Sequence, residues 1–532
     1  MARTYRRVDR DQEFLLAPSM LNWLPDDHLV WFVIAAVDRL DTTGFHRRAR
    51  LGGVGRRGYD PDMVLMLFIY AMARGVSSSR QIERLCHTDV AFRVICAQDV
   101  PDHTVLARFR KNHEAVLSGL LGESLVLAAE LGMVSLGVVA FDGTKIAANA
   151  SMAANRGEAH LRMLAEQFVS MAGVTDEAED ELFGEDNRGD ELPGPVADRS
   201  GRAERIDQAL EQITARRQAA AAAEGEQTER ARAYERAAGE QGTGPGPCPP
   251  GTDPVAVAGA RWQRERAKAA ARYEQLSAVR ERGHRQGRPP VPPDEHYQVR
   301  KAKAAYDAAR AAAQNTEQRA SSAGKDKQFT ANLTDPDSRL LKTRNGWIQG
   351  YNCQTATSQD GFILCARATQ DANDVEQFVP TVNDLTAATT DMARRTGRDD
   401  LTIGTMIGDA GYDSDTNLSA EGPDRLIADA TRHTLDQRAA TDPAIGDPPE
   451  HASTREQMNH RLRTTQGHAL YQRRAPLVEA PNAWLKDGRG LRTGFARRGL
   501  SAAQAELSTA SAVTNLLKLA TNGITAAHLL AR

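Results

Sequence analysis

Three acidic residues in this chain of 532 residues end, or project from, segments that can carry them to one point. Asp142 follows the β-branched apolar run Val138-Val139-Ala140-Phe141. Asp409 follows a second such run, Thr402 to Ile407, by way of Gly408. Glu479 lies in a cation-rich stretch with helical spacing. A strand core rarely tolerates a charge without a partner. Carboxylates converging from separate elements suit a hard, oxygen-seeking ion such as Mg²⁺ or Mn²⁺. Two such ions clamp the attacking and leaving oxygens of an in-line phosphoryl displacement. Asp413 and Asp415 rival Asp409 but rank below it, because Asp409 ends the strand directly. Asp371 and Asp374 flank a helix start and read as caps.

The segment carrying Glu479 is the most specific. It reads Tyr471-x2-Arg474-x4-Glu479-x6-Lys486. On a helix, Glu479 and Lys486 share one face. Residues 455–498 hold ten Lys/Arg, among them Arg473, Arg489 and Arg492, against three acids, a net charge of +7. A cationic strip beside a metal-holding carboxylate is what a phosphodiester-handling site requires. The whole chain carries only −3, because Asp176 to Glu191 places nine acids around one base, Arg188.

The acids need a sheet to position them. The order is a strand ending at Asp142, a hairpin around Ser358-Gln359-Asp360-Gly361, and a helix opened by Asn373-x-x-Glu376. The strand ending at Asp409, a short strand at Leu426-Ile427-Ala428 and the Glu479 helix follow. That is the order of an RNase H-like sheet: three antiparallel strands, then parallel strands with helices between. The expected fold class is mixed α+β. An all-helical N-terminal domain (1–130) precedes a core at 131–151 and 329–500, and a C-terminal helix (501–532) closes the chain. A helical, partly disordered insertion (152–328) splits the core. Its composition is Ala- and charge-rich, with breaks at Thr243–Pro254 and Gly287–Pro293. In the N-terminal domain, Asp60-Pro61 opens a buried helix that stops at Gly75. Ser78-x-x-Gln81 then starts a polar helix bearing Arg80 and Arg84. This is helix-turn-helix grammar, with a plain helical bundle as the alternative.

Several classes fall away. The longest apolar run, Met63 to Ala73, is far short of the ~20 residues a membrane span needs. No apolar signal core follows the basic N-terminus. Five cysteines without a C-x-x-C pair argue for reduced thiols in a cytoplasmic protein. The histidines lack H-E-x-x-H spacing, so zinc is not expected. Gly53-x-Gly55-x-x-Gly58 has no strand before it, which removes a dinucleotide site. Trp347 and Trp484 read as core rather than as base-stacking platforms.

The sequence resembles the DDE-type transposases of bacterial insertion sequences. The resemblance rests on Phe141-Asp142-Gly143-Thr144-Lys145, Gly350-Tyr351-Asn352, Gly408-Asp409-Ala410-Gly411-Tyr412-Asp413-Ser414 and the Tyr-Arg-Glu-Lys signature. In the N-terminal domain it rests on Arg74 to Glu83 and on Pro101-Asp102-His103-Thr104 running into Ala107-Arg108-Phe109-Arg110. It implies two divalent ions held by Asp142, Asp409 and Glu479, with Tyr471, Arg474 and Lys486 contacting element-end DNA. Arg473 is the alternative to Arg474, and the Arg-to-Glu gap is four residues here against three in better-known relatives. Arg489, Arg492, Arg80 and Arg84 are further DNA contacts expected from the basic strip and the helix-turn-helix. The implied partner is double-stranded DNA, bound by a homodimer or larger assembly in the nucleoid. Two alternatives stand beside it: a metal-dependent nuclease without strand transfer, and a non-catalytic DNA-binding protein.

Overall fold

In the computed structural model, residues 19–47, 58–167, 194–241, 248–283, 289–320 and 329–531 are described. The Gly53–Gly58 motif up to residue 57 and the 176–191 acidic stretch lie outside them. The chain divides into two compact units, residues 1–155 with 332–532, and residues 156–331.

The first unit opens with helices whose ends the sequence specifies. After α1 (Leu29–Val37), α2 (Pro61–Ala73) begins at Asp60, whose carboxylate accepts the Asp62 N–H at 2.9 Å. It stops where Gly75 turns to φ +71°. Ser78 caps α3 (Ser79–Thr88), Asp89 caps α4 (Val90–Ile95) and Asp102 caps α5 (His103–Asn112). Leu65, Phe68, Tyr70, Ile82, Phe92 and Leu106 pack together as their core. The long α6 (Glu114–Glu130) then leads into the sheet.

The sheet is six-stranded and mixed. β1 (Val138–Ala147) pairs antiparallel with β3 (Gly346–Ser358), from Val139↔Ser358 to Ala147↔Gly350. The far edge of β3 carries β2 (Arg339–Thr343) along its first half and β4 (Ile363–Thr369) along its second. On its other side β1 pairs in parallel with β5 (Thr405–Gly408), which pairs in parallel with β6 (Asp424–Ile427). Three antiparallel strands followed by two parallel ones is the order expected for an RNase H-like sheet. One detail differs from expectation. β1 does not end at Asp142; it runs five residues further, because β3 continues to pair with it. What ends near Asp142 is the parallel pairing, whose last registered pair is Ala140↔Ile407.

One sheet face packs on the main core through Val139, Phe141 and Met406. The other packs Val138, Ile407 and Leu426 against Leu462 and Tyr471, from α11 (Thr454–Arg463) and α12 (Thr465–Gln472). α10 (Phe378–Thr396) buries Phe378, Val382 and Leu385, while Val379 is exposed. The C-terminal segment forms α14 (Leu500–Thr521) and a separate last turn at Ala526–Leu530. α14 is buried almost all round rather than amphipathic, packing on α6, β4 and α2. Its first N–H groups, on Gly499 and Leu500, donate to Asp335 and Asp337 at 3.2 and 3.0 Å, carboxylates placed where a helix dipole favours them.

The second unit holds α7 (Gly194–Gln241), α8 (Pro254–Glu281) and α9 (Tyr297–Ala320). Ile206 and Ile213 are buried as their spacing predicts, but Leu276 and Val279 are exposed. Trp262 of α8 stacks on Tyr306 of α9 with ring centroids 5.4 Å apart.

Candidate active site

The strand topology sets the site. β1 and β5 run side by side to Ala140 and Ile407; beyond that, β1 stays with β3 while the β5 chain turns away at Asp409. The crevice past the carboxyl ends of parallel strands, where neighbours diverge, is the usual binding place of such sheets. Gly408 is required at the divergence, because a β-carbon there would overlap the Phe141 ring. Phe141 in turn meets Tyr412 edge-on, at 4.6 Å between centroids.

Asp142 and Asp409 face one another across this crevice. Between them sits Arg474, the first residue of α13 (Arg474–Ala483). Its Nη2 lies 2.7 Å from Asp142 Oδ1 and 3.4 Å from Asp409 Oδ2. A single nitrogen therefore spans the gap between the two carboxylates. The Arg474 side chain is only 12% exposed, so the bridge is shielded from water. Asn482, two turns on, donates to Asp142 Oδ2 at 3.2 Å. Burial pushes the Asp142 carboxyl up to about 6; Arg474 opposes this, while Asp409 and Asp374 reinforce it.

Asp374 departs from its expected capping role. It precedes the short turn Val375–Gln377, yet its side chain makes no capping bond there. Its Oδ1 instead accepts from Asn352 Nδ2 at 2.8 Å and Gln354 Nε2 at 2.7 Å, two buried amides on β3. A β-carbon on Gly143 would overlap this oxygen, which explains the glycine. Tyr412, fully buried, donates its hydroxyl to Gln354 Oε1. Burial, then Asp374, Asp142 and Asp409, hold the Tyr412 phenol well above its usual range. Asp371 bonds Gln377 Nε2 at 2.6 Å, and Asp413 and Asp415 pair with Arg455 at 3.4 and 3.2 Å.

No described hydrogen bond or ion pair joins the remaining expected site residues to Asp142 or Asp409. Glu479 is on α13 but exposed, and no described hydrogen bond or ion pair ties it to Asp142 and Asp409. α13 gives way to a π turn at Trp484–Gly488, so the helical spacing that put Lys486 on Glu479's face does not hold. Lys486 is half-buried; burial pulls its ammonium down, partly offset by Cys353 and Asp142. Tyr471 is buried in the small core under β5 and β6. Arg489 donates to the Met72 and Ala73 carbonyls at the end of α2, at 3.2 and 2.9 Å, a structural tie. Arg473 is exposed, and Arg492 is exposed beside Asp487. Arg80 and Arg84 are exposed on the polar face of α3. Trp347 and Trp484, expected in the core, are 54% and 39% exposed. Asn352, Gln354, Tyr412 and Asn482 join the site without being expected there. The signal for them was available in part: amides two apart on a strand share one face.

These features define a mixed sheet whose diverging strand ends collect aspartates around one cation. Comparison with known families then bears on the chain directly. A family model described as Transposase domain (DUF772) matches residues 18–112, and one described as Transposase DDE domain matches residues 444–520. No curated protein and no solved structure matches. The two matches support a DDE-type transposase, the family that the sequence resembles. The first covers α1 to α5; the second covers α11 to α13 and most of α14, with Arg474, Glu479 and Lys486. Among the described residues, no helix is long and apolar enough to cross a membrane.

Proposed function

We propose that this chain is an insertion-sequence transposase that nicks DNA at element ends and transfers the freed 3′-hydroxyl to target DNA. The observation that carries the reading is the Asp142–Arg474–Asp409 bridge at the diverging strand ends. Two strand-end aspartates fit a divalent-metal site because they call for a positive charge between them, a place that the Arg474 guanidinium takes here and that an ion would have to take from it. Asp142 and Asp409 would hold the ions, with Glu479 contributed from α13. Mg²⁺ or Mn²⁺ bound there would lower the pKa of the attacking water or hydroxyl and offset charge on the scissile phosphate. Arg474, released from the acids, is placed to take a phosphate oxygen, and Lys486 adds a second cation from the same segment. Arg80 and Arg84 extend the basic surface to the N-terminal helices, and pairing two element ends calls for at least a dimer.

The test uses purified protein, Mg²⁺ or Mn²⁺, labelled DNA flanking the coding sequence and a target plasmid. Joined products support transposition, cleavage alone supports a nuclease, and a mobility shift without cleavage supports a DNA-binding protein. Asp142→Ala, Asp409→Ala and Glu479→Ala are each expected to abolish cleavage and leave DNA binding in place. Strand transfer retained by any of the three removes that residue from the catalytic set.

A further inference from the structure

The geometry points to Asp374 as a further metal-holding carboxylate, outside the Asp142, Asp409 and Glu479 set. This inference rests on the reading above, that the strand-end acids hold divalent ions.

Asp374 reaches the site from α10's leading turn. A β-carbon placed on Gly411 would lie 3.5 Å from Asp374 Oδ2 and 3.0 Å from Asp409 Oδ1. The two oxygens are therefore no more than 6.5 Å apart, and the Asp142 and Asp409 oxygens that meet the Arg474 nitrogen are no more than 6.1 Å apart. Oxygens on opposite sides of one Mg²⁺ are about 4 Å apart, and a pair of ions about 3.5–4 Å apart spans more. Both separations fall within the span of such an ion pair.

The carboxylate is also built to hold its position. Both amides bond the same oxygen, Oδ1, and no described hydrogen bond engages Oδ2. The Gln354 amide is oriented in turn: its oxygen takes the Tyr412 hydroxyl, so its nitrogen must face Asp374. Such outer partners fix a ligand's orientation before an ion arrives. Asp374 spends neither oxygen on the backbone N–H groups of the following turn. Among the described residues, Arg474 is the one cation bonded directly to Asp142 and Asp409, while Asp374 beside them is bonded by two neutral amides. A divalent ion relieves the remaining repulsion.

The experiment is Mn²⁺ binding to the full chain without DNA, followed by electron paramagnetic resonance or calorimetry. Asp374→Asn is expected to weaken uptake of one ion about tenfold or more, with a cooperative unfolding transition kept in EDTA and Asp371→Asn behaving as wild type. Asp374→Cys gives a readout independent of folding losses. A thiolate disfavours Mg²⁺ relative to softer ions, so cleavage is expected to fail in Mg²⁺ and return in part in Mn²⁺. Wild-type Mn²⁺ affinity in Asp374→Asn, or equal loss in both metals for Asp374→Cys, overturns the assignment and leaves Asp374 a structural acceptor. A wild-type protein that takes up no Mn²⁺ sinks the underlying metal reading, a result distinct from either of these.

Discussion

Asp142→Asn is expected to stabilise the metal-free protein at neutral pH, and the size of the effect follows from the site. The Asp142 carboxyl titrates at about 6 in the folded chain against an ordinary 3.8, with burial as the main cause. The folded state thus holds this proton more tightly than the unfolded state. By linkage, stability is fully present below pH 3.8 and declines as pH rises through about 6. A shift of about two units corresponds to about 3 kcal/mol at pH 8, net of the Arg474 attraction, and to under about 1 kcal/mol at pH 4. Asparagine keeps the shape and the acceptor for Arg474 but carries no charge, so it avoids the penalty.

Urea unfolding in EDTA at pH 4 and pH 8 measures this directly. The variant should exceed wild type by about 3 kcal/mol at pH 8 and nearly match it at pH 4. Adding Mg²⁺ at pH 8 should then reverse the order, because a ligand that binds only the folded state stabilises the chain that can hold it. An advantage that is the same at both pH values, or a variant weaker than wild type at pH 8 in EDTA, would falsify the claim that burial dominates at Asp142.

Arg474→Gln removes the cation that bridges the two aspartates; it is expected to bind Mn²⁺ more tightly in the absence of DNA and to bind DNA more weakly, read by calorimetry and mobility shift. Should Mn²⁺ affinity fall instead, the guanidinium is not standing where an ion would. Arg80→Ala and Arg84→Ala should each weaken DNA binding about evenly across sequences and lower the salt slope by about 1. Arg489→Ala should leave that slope alone and cost about 1–3 kcal/mol of stability, since two α2 carbonyls lose their donor. A salt slope that changes with Arg489 and not with Arg80 or Arg84 reverses this division of the basic residues.

The features readable in the sequence are those set by neighbours along the chain. Asp60-Pro61, Ser78 and Asp102 announce helix starts through bonds to N–H groups two or three residues on, and each is found capping. The hairpin at Ser358–Gly361 is equally local, with Gly361 at φ +82°. Asp142 and Asp409 stand out because each follows an apolar run. Local grammar fails where a distant strand or a helix irregularity competes. Asn373-Asp374 before a helix has the form of a cap; only the fold brings Asn352 and Gln354, some twenty residues earlier, to claim its carboxylate. Gly143-Thr144-Lys145 looks like a turn, yet pairing with β3 extends β1 through it. The Tyr471 to Lys486 signature assumes one continuous helix, and the π turn at Trp484–Gly488 breaks that assumption.

Arg474 shows why a site residue legible by type is not legible by role. As one of ten cations in a basic strip it reads as a phosphate contact. In the fold it is the shielded charge partner of the two strand-end aspartates. The roles are compatible in physical terms. Without a divalent ion, the aspartates need a cation to offset their repulsion, and a guanidinium at the head of α13 is within reach. Under the proposed function, an ion taking that place would leave the guanidinium unpaired, and a DNA phosphate would supply the next available anion.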